Sequence, residues 1–112
     1  MTETRAVLDE MIDFAKIELT SGNADRKRAM VRRMAEQWPS EPALSLVYAV
    51  TSATGAIEDE SKKDPAISQG YRLSALISAD VHAVQSMGQN PSFAGDLLHF
   101  WRRVDPLFLR MQ

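Results

Sequence analysis

The stretch Pro42–Ile57, PALSLVYAVTSATGAI, contains no charged side chain. Ser40 offers a capping hydroxyl and Pro42 suits a first turn, so we predict that a helix begins here. At about 100° per residue, large side chains occupy one face and small side chains occupy the opposite face. These faces are Leu46, Val47, Val50, Ala53 and Ile57 against Ser45, Ala49, Ser52 and Ala56. Because a helix without a polar face is typically buried on all sides, this is the predicted central helix of the core.

The same stretch is a poor candidate for a membrane span. A spanning helix needs about 20 mostly apolar residues. Here the apolar run is shorter, contains Thr51, Ser52 and Thr54, and is followed at once by Glu58-Asp59-Glu60. We therefore expect burial in a protein core, with no membrane partner. The sequence leaves open whether that core lies within one chain or across a dimer.

Length and composition limit the classes of protein further. The chain has 112 residues, and we predict a single all-helical domain over residues 1–112. It contains no cysteine, which excludes a disulfide framework and a cysteine zinc site. The first residues do not form the basic-then-apolar pattern of a signal peptide, so a cytoplasmic location is expected. The net charge of −2 makes nucleic acid an unlikely partner.

Helical periodicity predicts four more helices around the central one. They cover about Glu3–Leu19, Ala24–Trp38, Pro65–Met87 and Asn90–Val104. Asn23 and Asp64 are the predicted caps of the second and fourth helices. The acidic run Glu58–Asp64 should fray or form a loop, because acids oppose the dipole at a helix C-terminus. The apolar segment Leu107–Met111 should dock on the body or on another subunit.

The predicted fold class is therefore all-α. We expect a compact bundle of about five helices around the central uncharged helix (42–57), with a short apolar C-terminal helix or tail. The sequence leaves open whether these helices close into a bundle or stack as a repeat-like array.

The segment Gly22 to Pro39 resembles the second half of a tetratricopeptide repeat. The glycine at the turn and the proline after the helix have the separation found in that family. Lys27 stands where the family carries a small alanine, and the pattern does not return after the family's interval of about 34 residues. No peptide-binding residue is carried over from this resemblance.

Three charged residues interrupt apolar stripes: Glu18, Lys27 and Asp80. A charge buried alone costs several kcal/mol, so each should be paired or reach water. Glu18 and Lys27 flank the same turn and are predicted to meet. Asp80 is predicted to accept a hydrogen bond from Trp101 or Arg103, and a functional role for this acid remains an alternative.

The second helix is strongly basic and follows an acidic first helix. Asp25 and Glu36 are the only acids in a segment with five bases. We predict local ion pairs from Asp25 to Arg28 and from Arg32 to Glu36. The alternative is that the Arg26–Arg33 face binds phosphate or an acidic partner.

The fifth helix carries a cationic cluster backed by aromatic side chains. Arginine is well suited to binding carboxylate and phosphate groups. The candidate contacts for a partner or anion are Asp96, His99, Arg102, Arg103, Arg28 and Arg32. The Asp96-x-x-His99 spacing is compatible with a metal pair on one helix face, but a surface hydrogen bond explains it as well. We therefore predict no catalytic, cofactor-binding or metal residue.

These observations favour a non-enzymatic protein–protein interaction module that forms a homodimer. The uncharged central helix and the apolar C-terminal segment motivate this hypothesis. Two alternatives stay open. One is a small-ligand- or metal-binding helical protein with a site near Asp80, His82 and His99. The other is a nucleic-acid adaptor that uses the Arg26–Arg33 face.

Overall fold

The computed structural model describes the backbone of residues 2–88 and 92–103 and the side chains of residues 6–88 and 92–102. These ranges contain five helices, and the predicted all-α fold is confirmed. The helices are α1 (Thr2–Leu19), α2 (Ala24–Gln37), α3 (Ala43–Glu60), α4 (Ala66–Ser86) and α5 (Ala94–Arg103). The segment Leu107–Met111 and the predicted start of α5 at Asn90-Pro91 lie outside the described residues.

Helix α3 lies between α1 and α4, and the three form one layer. Lys16 near the end of α1 pairs with Glu60 at the end of α3, so these helices run parallel. Thr54 in the second half of α3 lies against Gly70 near the start of α4, so α4 runs antiparallel to α3. Helices α2 and α5 contact each other and cover one side of this layer. The molecule is therefore flat, with principal extents of 40 × 36 × 19 Å.

The core lies between the two layers and is filled by unbranched and branched aliphatic side chains. Its largest fully buried apolar members are Met11, Leu19, Met30, Met34, Leu46, Ile77 and Leu97. Every helix contributes to this cluster. The sequence stripes predicted for the five helices therefore converge on one core.

The prediction that α3 is buried on all sides is wrong. Leu44 is 57 % exposed and Tyr48 is 56 % exposed. The physical reason is that four other helices supply neighbours on only three sides of α3: α1 and α4 beside it, and α2 with α5 beneath it. The fourth side remains open.

Both ends of α3 differ from the prediction. The helix continues to Glu60, beyond Ile57, because its terminal acids find partners: Glu58 accepts from the Tyr71 hydroxyl at 2.9 Å and Glu60 pairs with Lys16. At the other end, no side chain caps the helix. The Ala43 N–H instead donates to the Ser92 carbonyl at 3.0 Å.

Helix α5 begins later than predicted, at Ala94. Phe93 forms an isolated antiparallel bridge with Pro42, which holds the chain extended up to that point. The Asp96 carboxylate then accepts from the Phe93 N–H at 2.8 Å, as the third residue of a capping box does. This bridge fixes the start of α5 against the start of α3.

The turn between α1 and α2 is capped as predicted, but its buried acid has other partners than expected. Asn23 accepts from the Arg26 N–H at 3.1 Å. Glu18 is only 2 % exposed and pairs with Arg26 and with Arg33, the latter at 2.7 Å. Lys27 donates to Gln69 of α4 at 3.2 Å, so the predicted Glu18–Lys27 pair is wrong. Arg26 and Arg33 lie two turns apart and therefore share one side of α2. Their pairs with Glu18 show that this side faces α1.

The predicted partner of Asp80 is confirmed. The Trp101 indole N–H donates to the Asp80 carboxylate at 3.0 Å, and both side chains are buried. The bond joins α4 to α5 inside the core. Arg103, the other predicted partner, has its side chain outside the described residues.

Helices α3 and α4 approach each other closely at Gly70, where a Cβ atom would overlap Thr54. A Cβ atom at this position would lie 2.8 Å from Thr54 Cγ2 and 2.9 Å from Thr54 Cβ. We expect Gly70→Ala to lower the free energy of unfolding by about 1–3 kcal/mol, because overpacking outweighs the better helix propensity of alanine. Urea denaturation measures this loss. In the background of Thr54→Ala, which removes Oγ1 and Cγ2, the loss caused by Gly70→Ala should be smaller than in the wild type. An unchanged loss would contradict the steric explanation.

Candidate functional site

The open side of α3 carries the most exposed large apolar side chains of that helix. Leu44, Tyr48, Thr51 and Gly55 follow at helical spacing and share one face, which we call the α3 stripe. Leu44 and Tyr48 are each more than half exposed, Thr51 is exposed and Gly55 is partly buried. The stripe therefore has a bulky half near the start of α3 and a small half near its end.

The stripe is bordered by one tyrosine of α4. The Tyr71 hydroxyl lies 3.9 Å from the position of a Cβ on Gly55 and donates to Glu58. This hydrogen bond is the main cause that raises the pKa of Tyr71 above 10.0, and burial and the charge of Asp59 act in the same direction. The Tyr71 ring is thus held beside the small half of the stripe and stays uncharged at neutral pH.

The α3 stripe is not evident from the sequence pattern. Its residues lie between the large face and the small face of the predicted α3 helix, where neither pattern drew attention to them. One signal was available: Tyr48 carries a hydroxyl, and Tyr48 and Thr51 share a face that a fully buried helix would have to satisfy with hydrogen bonds. That face is the one the structure leaves open.

The structure divides the arginines of α2 into two groups. Arg26 and Arg33 both bind the buried Glu18, and the Arg33 guanidinium also lies 5.2 Å from the centre of the Phe14 ring. Arg28 is exposed and Arg32 is half-buried, on the side of α2 away from Glu18. The Arg26–Arg33 face is therefore not one free basic surface.

The predicted local ion pairs of α2 are not formed. Within residues 6–88 and 92–102, no ion pair joins Asp25 to Arg28 or Arg32 to Glu36. Each of these partners instead extends into solvent, apart from the half-buried Arg32. Residues in solvent gain little from such pairs, since exposed ion pairs contribute only about 0–1 kcal/mol.

The predicted site residues of α5 lie at two positions along the helix. Asp96 and His99 line a shallow depression of about 420 Å³ with Pro39, Ser40, Phe93 and Gly95. Arg102 is exposed one turn beyond His99. The side chain of Arg103 is outside the described residues. The depression brings Ser40, His99 and Asp96 together, yet Asp96 uses its carboxylate to cap α5, and no hydrogen bond links Ser40 to His99 or His99 to Asp96. These contacts give no support to nucleophilic catalysis.

The three residues of the predicted ligand or metal site do not converge. Asp80 is buried against Trp101 of α5, whereas His82 lies two residues later on α4 and is exposed. His99 lies at the depression beside Pro39. In the part of the chain that the structure describes, no group of three His, Cys, Asp or Glu side chains could hold a metal ion.

Comparisons of the chain with protein-family models, with curated proteins and with solved structures find no match. Across residues 2–88 and 92–103, no helix is long and apolar enough to cross a membrane.

Proposed function

We propose that this chain is a non-enzymatic protein–protein interaction module that forms a homodimer through the α3 stripe. The observation that carries the proposal is the pair Leu44 and Tyr48, one turn apart and each more than half exposed on a helix surface without charge. Complete burial of a fully exposed side chain of this size contributes about 1.5–3 kcal/mol, and somewhat more than half of each surface is still exposed here. A partner that covers both residues therefore gains a large part of the binding energy at one place.

The stripe suits a second copy of the same chain. A two-fold axis across the middle of α3 would pair Leu44 with Gly55 and Tyr48 with Thr51 of the other copy, because both pairs are symmetric about the same point of the sequence. The bulky half of each stripe would then fill the small half of its partner. An interface on a two-fold axis must be self-complementary in this way. The absence of charged residues from Ala43 to Ile57 removes like-charge repulsion between the two stripes.

The open side of the molecule is also large enough for a stable dimer. The whole molecule extends 40 by 36 Å in the two directions of its flat face. A specific interface of standard size buries about 800 Å² on each partner. Contacts on α4 beside the stripe, where Tyr71 is exposed, can complete an interface that begins at α3. A cytoplasmic location belongs to the same proposal and is supported by the lack of cysteine.

The direct test is light scattering after size-exclusion chromatography at low and at high salt. We expect a dimer at both salt concentrations, because apolar burial is not screened by ions. A monomer at all accessible protein concentrations would refute the homodimer. A dimer that dissociates in high salt would mean that charged surfaces, and not the stripe, hold the copies together.

The variant Leu44→Asp tests the stripe itself. It removes apolar contact and places a charge in the interface, so we expect the dimer Kd to rise by more than about 100-fold. The matched control is Ile17→Asp, since Ile17 is 60 % exposed on α1 and lies outside the stripe. When both variants are monomeric, they should unfold at similar urea concentrations. Equal weakening of the dimer by both variants would show that the stripe is not the interface.

A further inference from the structure

The second surface of interest lies on the opposite side of the molecule, along the junction of α2 and α5. We propose that three arginines there bind an acidic segment of a partner protein. We call this set the basic seam: Arg28, Arg32 and Arg102. The proposal concerns a different face from the α3 stripe and does not depend on the homodimer.

Backbone contacts place the three arginines at neighbouring levels. The Gly95 N–H donates to the Pro39 carbonyl at 2.8 Å, so α5 begins beside the segment that follows α2. The two helices also pack against each other, so α5 runs back along α2. Arg102 follows Gly95 by seven residues and Arg32 precedes Pro39 by seven residues. Arg102 therefore lies about 10 Å along α5 from Gly95 and on the same side of that helix, at a rise of about 1.5 Å per residue. Arg32 lies on α2, five residues before its last residue, Gln37. Arg28 lies one turn beyond Arg32.

The charges of the basic seam are not neutralised by the described part of the protein. Arg26 and Arg33 pair with Glu18, and Lys16 pairs with Glu60. The three seam arginines, by contrast, form neither an ion pair nor a side-chain hydrogen bond with any residue in 6–88 and 92–102. Asp25 and Glu36 are exposed on α2 within about one turn of Arg28 and Arg32. Neither acid forms an ion pair with a seam arginine in the described residues.

The chemistry of the seam favours carboxylate ligands on a polypeptide. A guanidinium presents a planar fork of donors that matches a carboxylate in two hydrogen bonds. Arg32 as a whole is half-buried, so its side chain has less freedom to lose on binding.

The wider charge distribution argues against nucleic acid as the ligand. The net charge is −2, and Asp9, Glu10 and Asp13 are exposed on α1. A long polyanion interacts with the field of the whole protein and would be repelled outside the seam. A short acidic segment interacts mainly with the seam itself.

The test uses a fluorescein-labelled peptide of eight glutamates as the probe and fluorescence anisotropy as the measurement. We expect binding at low salt that weakens as salt is added. The triple variant Arg28→Gln/Arg32→Gln/Arg102→Gln should weaken the peptide at least tenfold. The matched control is Lys62→Gln/Lys63→Gln/Arg72→Gln, which removes three exposed cations elsewhere and should change affinity by less than about twofold.

Three outcomes would overturn the proposal: no binding of the peptide at low salt, equal weakening by the two triple variants, or tighter binding of a labelled eight-nucleotide single strand than of the peptide. The oligomeric state of the seam variant should equal that of the wild type, because the seam and the α3 stripe lie on opposite sides. Failure of the homodimer would therefore leave this proposal intact, and the reverse also holds.

Discussion

Replacing Arg26 and Arg33 together by alanine should lower the free energy of unfolding by about 3–5 kcal/mol. The two guanidinium groups are the only ion-pair partners of Glu18 among the described residues. Glu18 is 2 % exposed, so the double variant leaves an acid in the core without a compensating charge. Loss of the contact between Arg33 and the Phe14 ring adds to the effect.

The partners of this ion pair are not equivalent. Arg26 and Arg33 have 46 % and 51 % exposed side chains, whereas the carboxylate is buried. In Glu18→Met, both arginines can turn into water and methionine fills a similar volume. We therefore expect this variant to cost less than about 1.5 kcal/mol, well below the double arginine variant.

Urea denaturation followed by circular dichroism measures these differences. The matched control is Arg28→Ala/Arg32→Ala, which also removes two arginines from α2 but breaks no described ion pair. It should change stability by less than about 1 kcal/mol. If both double variants lose the same stability, the Glu18 interaction makes no net contribution and the effect belongs to α2 in general.

The Glu18 site also shows how far sequence reasoning reaches. A charge inside an apolar stripe correctly indicated that Glu18 needs a partner. Lys27, which interrupts an apolar stripe beside the same turn, was the wrong partner because a turn sets the rotation of α2 as well as its position. With Arg26 and Arg33 facing α1, Lys27 is rotated toward α4 and binds Gln69. Periodicity gives the relative angles on one helix, but not the rotation of that helix in the fold.

Helix α3 marks the second limit. Its lack of charge predicted a central position, and the structure places it between α1 and α4. The same feature predicted burial on every side, and there it failed at Leu44 and Tyr48. The number of neighbours around a helix depends on how the other helices are distributed between layers. Local sequence carries little information on that distribution, so the candidate interface became visible only in the folded chain.

The extension of α3 to Glu60 also depends on the other helices and not on local sequence. Acids at the end of a helix oppose its dipole by a few tenths of a kcal/mol to about 1 kcal/mol. The bonds from Lys16 to Glu60 and from Tyr71 to Glu58 offset that cost. Both partners come from other helices. Tertiary contacts thus decide a helix end that local rules alone would place earlier.

Trp101→Ala is expected to cost about 3–5 kcal/mol, mainly through the cavity left by a large buried ring. Trp101 is 4 % exposed, and its indole N–H donates to the buried Asp80 carboxylate. Trp101→Phe keeps most of the apolar surface and removes the donor. Since hydrogen bonds to charged groups contribute about 1.5–3 kcal/mol, this variant should lose at least that much. The remaining Trp38 provides the fluorescence signal for both measurements.

A double-mutant cycle separates the hydrogen bond from the packing. It combines Trp101→Phe with Asp80→Leu, and the coupling between the two sites should be about 1.5–3 kcal/mol. The cycle matters because each side chain also packs against other residues, and single substitutions mix those losses with the bond. Effects that add to within about 0.5 kcal/mol would show that Asp80 and Trp101 are neighbours without energetic coupling. In that case the acid would not be retained in the core for its bond to the indole, and a functional role for Asp80 would gain weight.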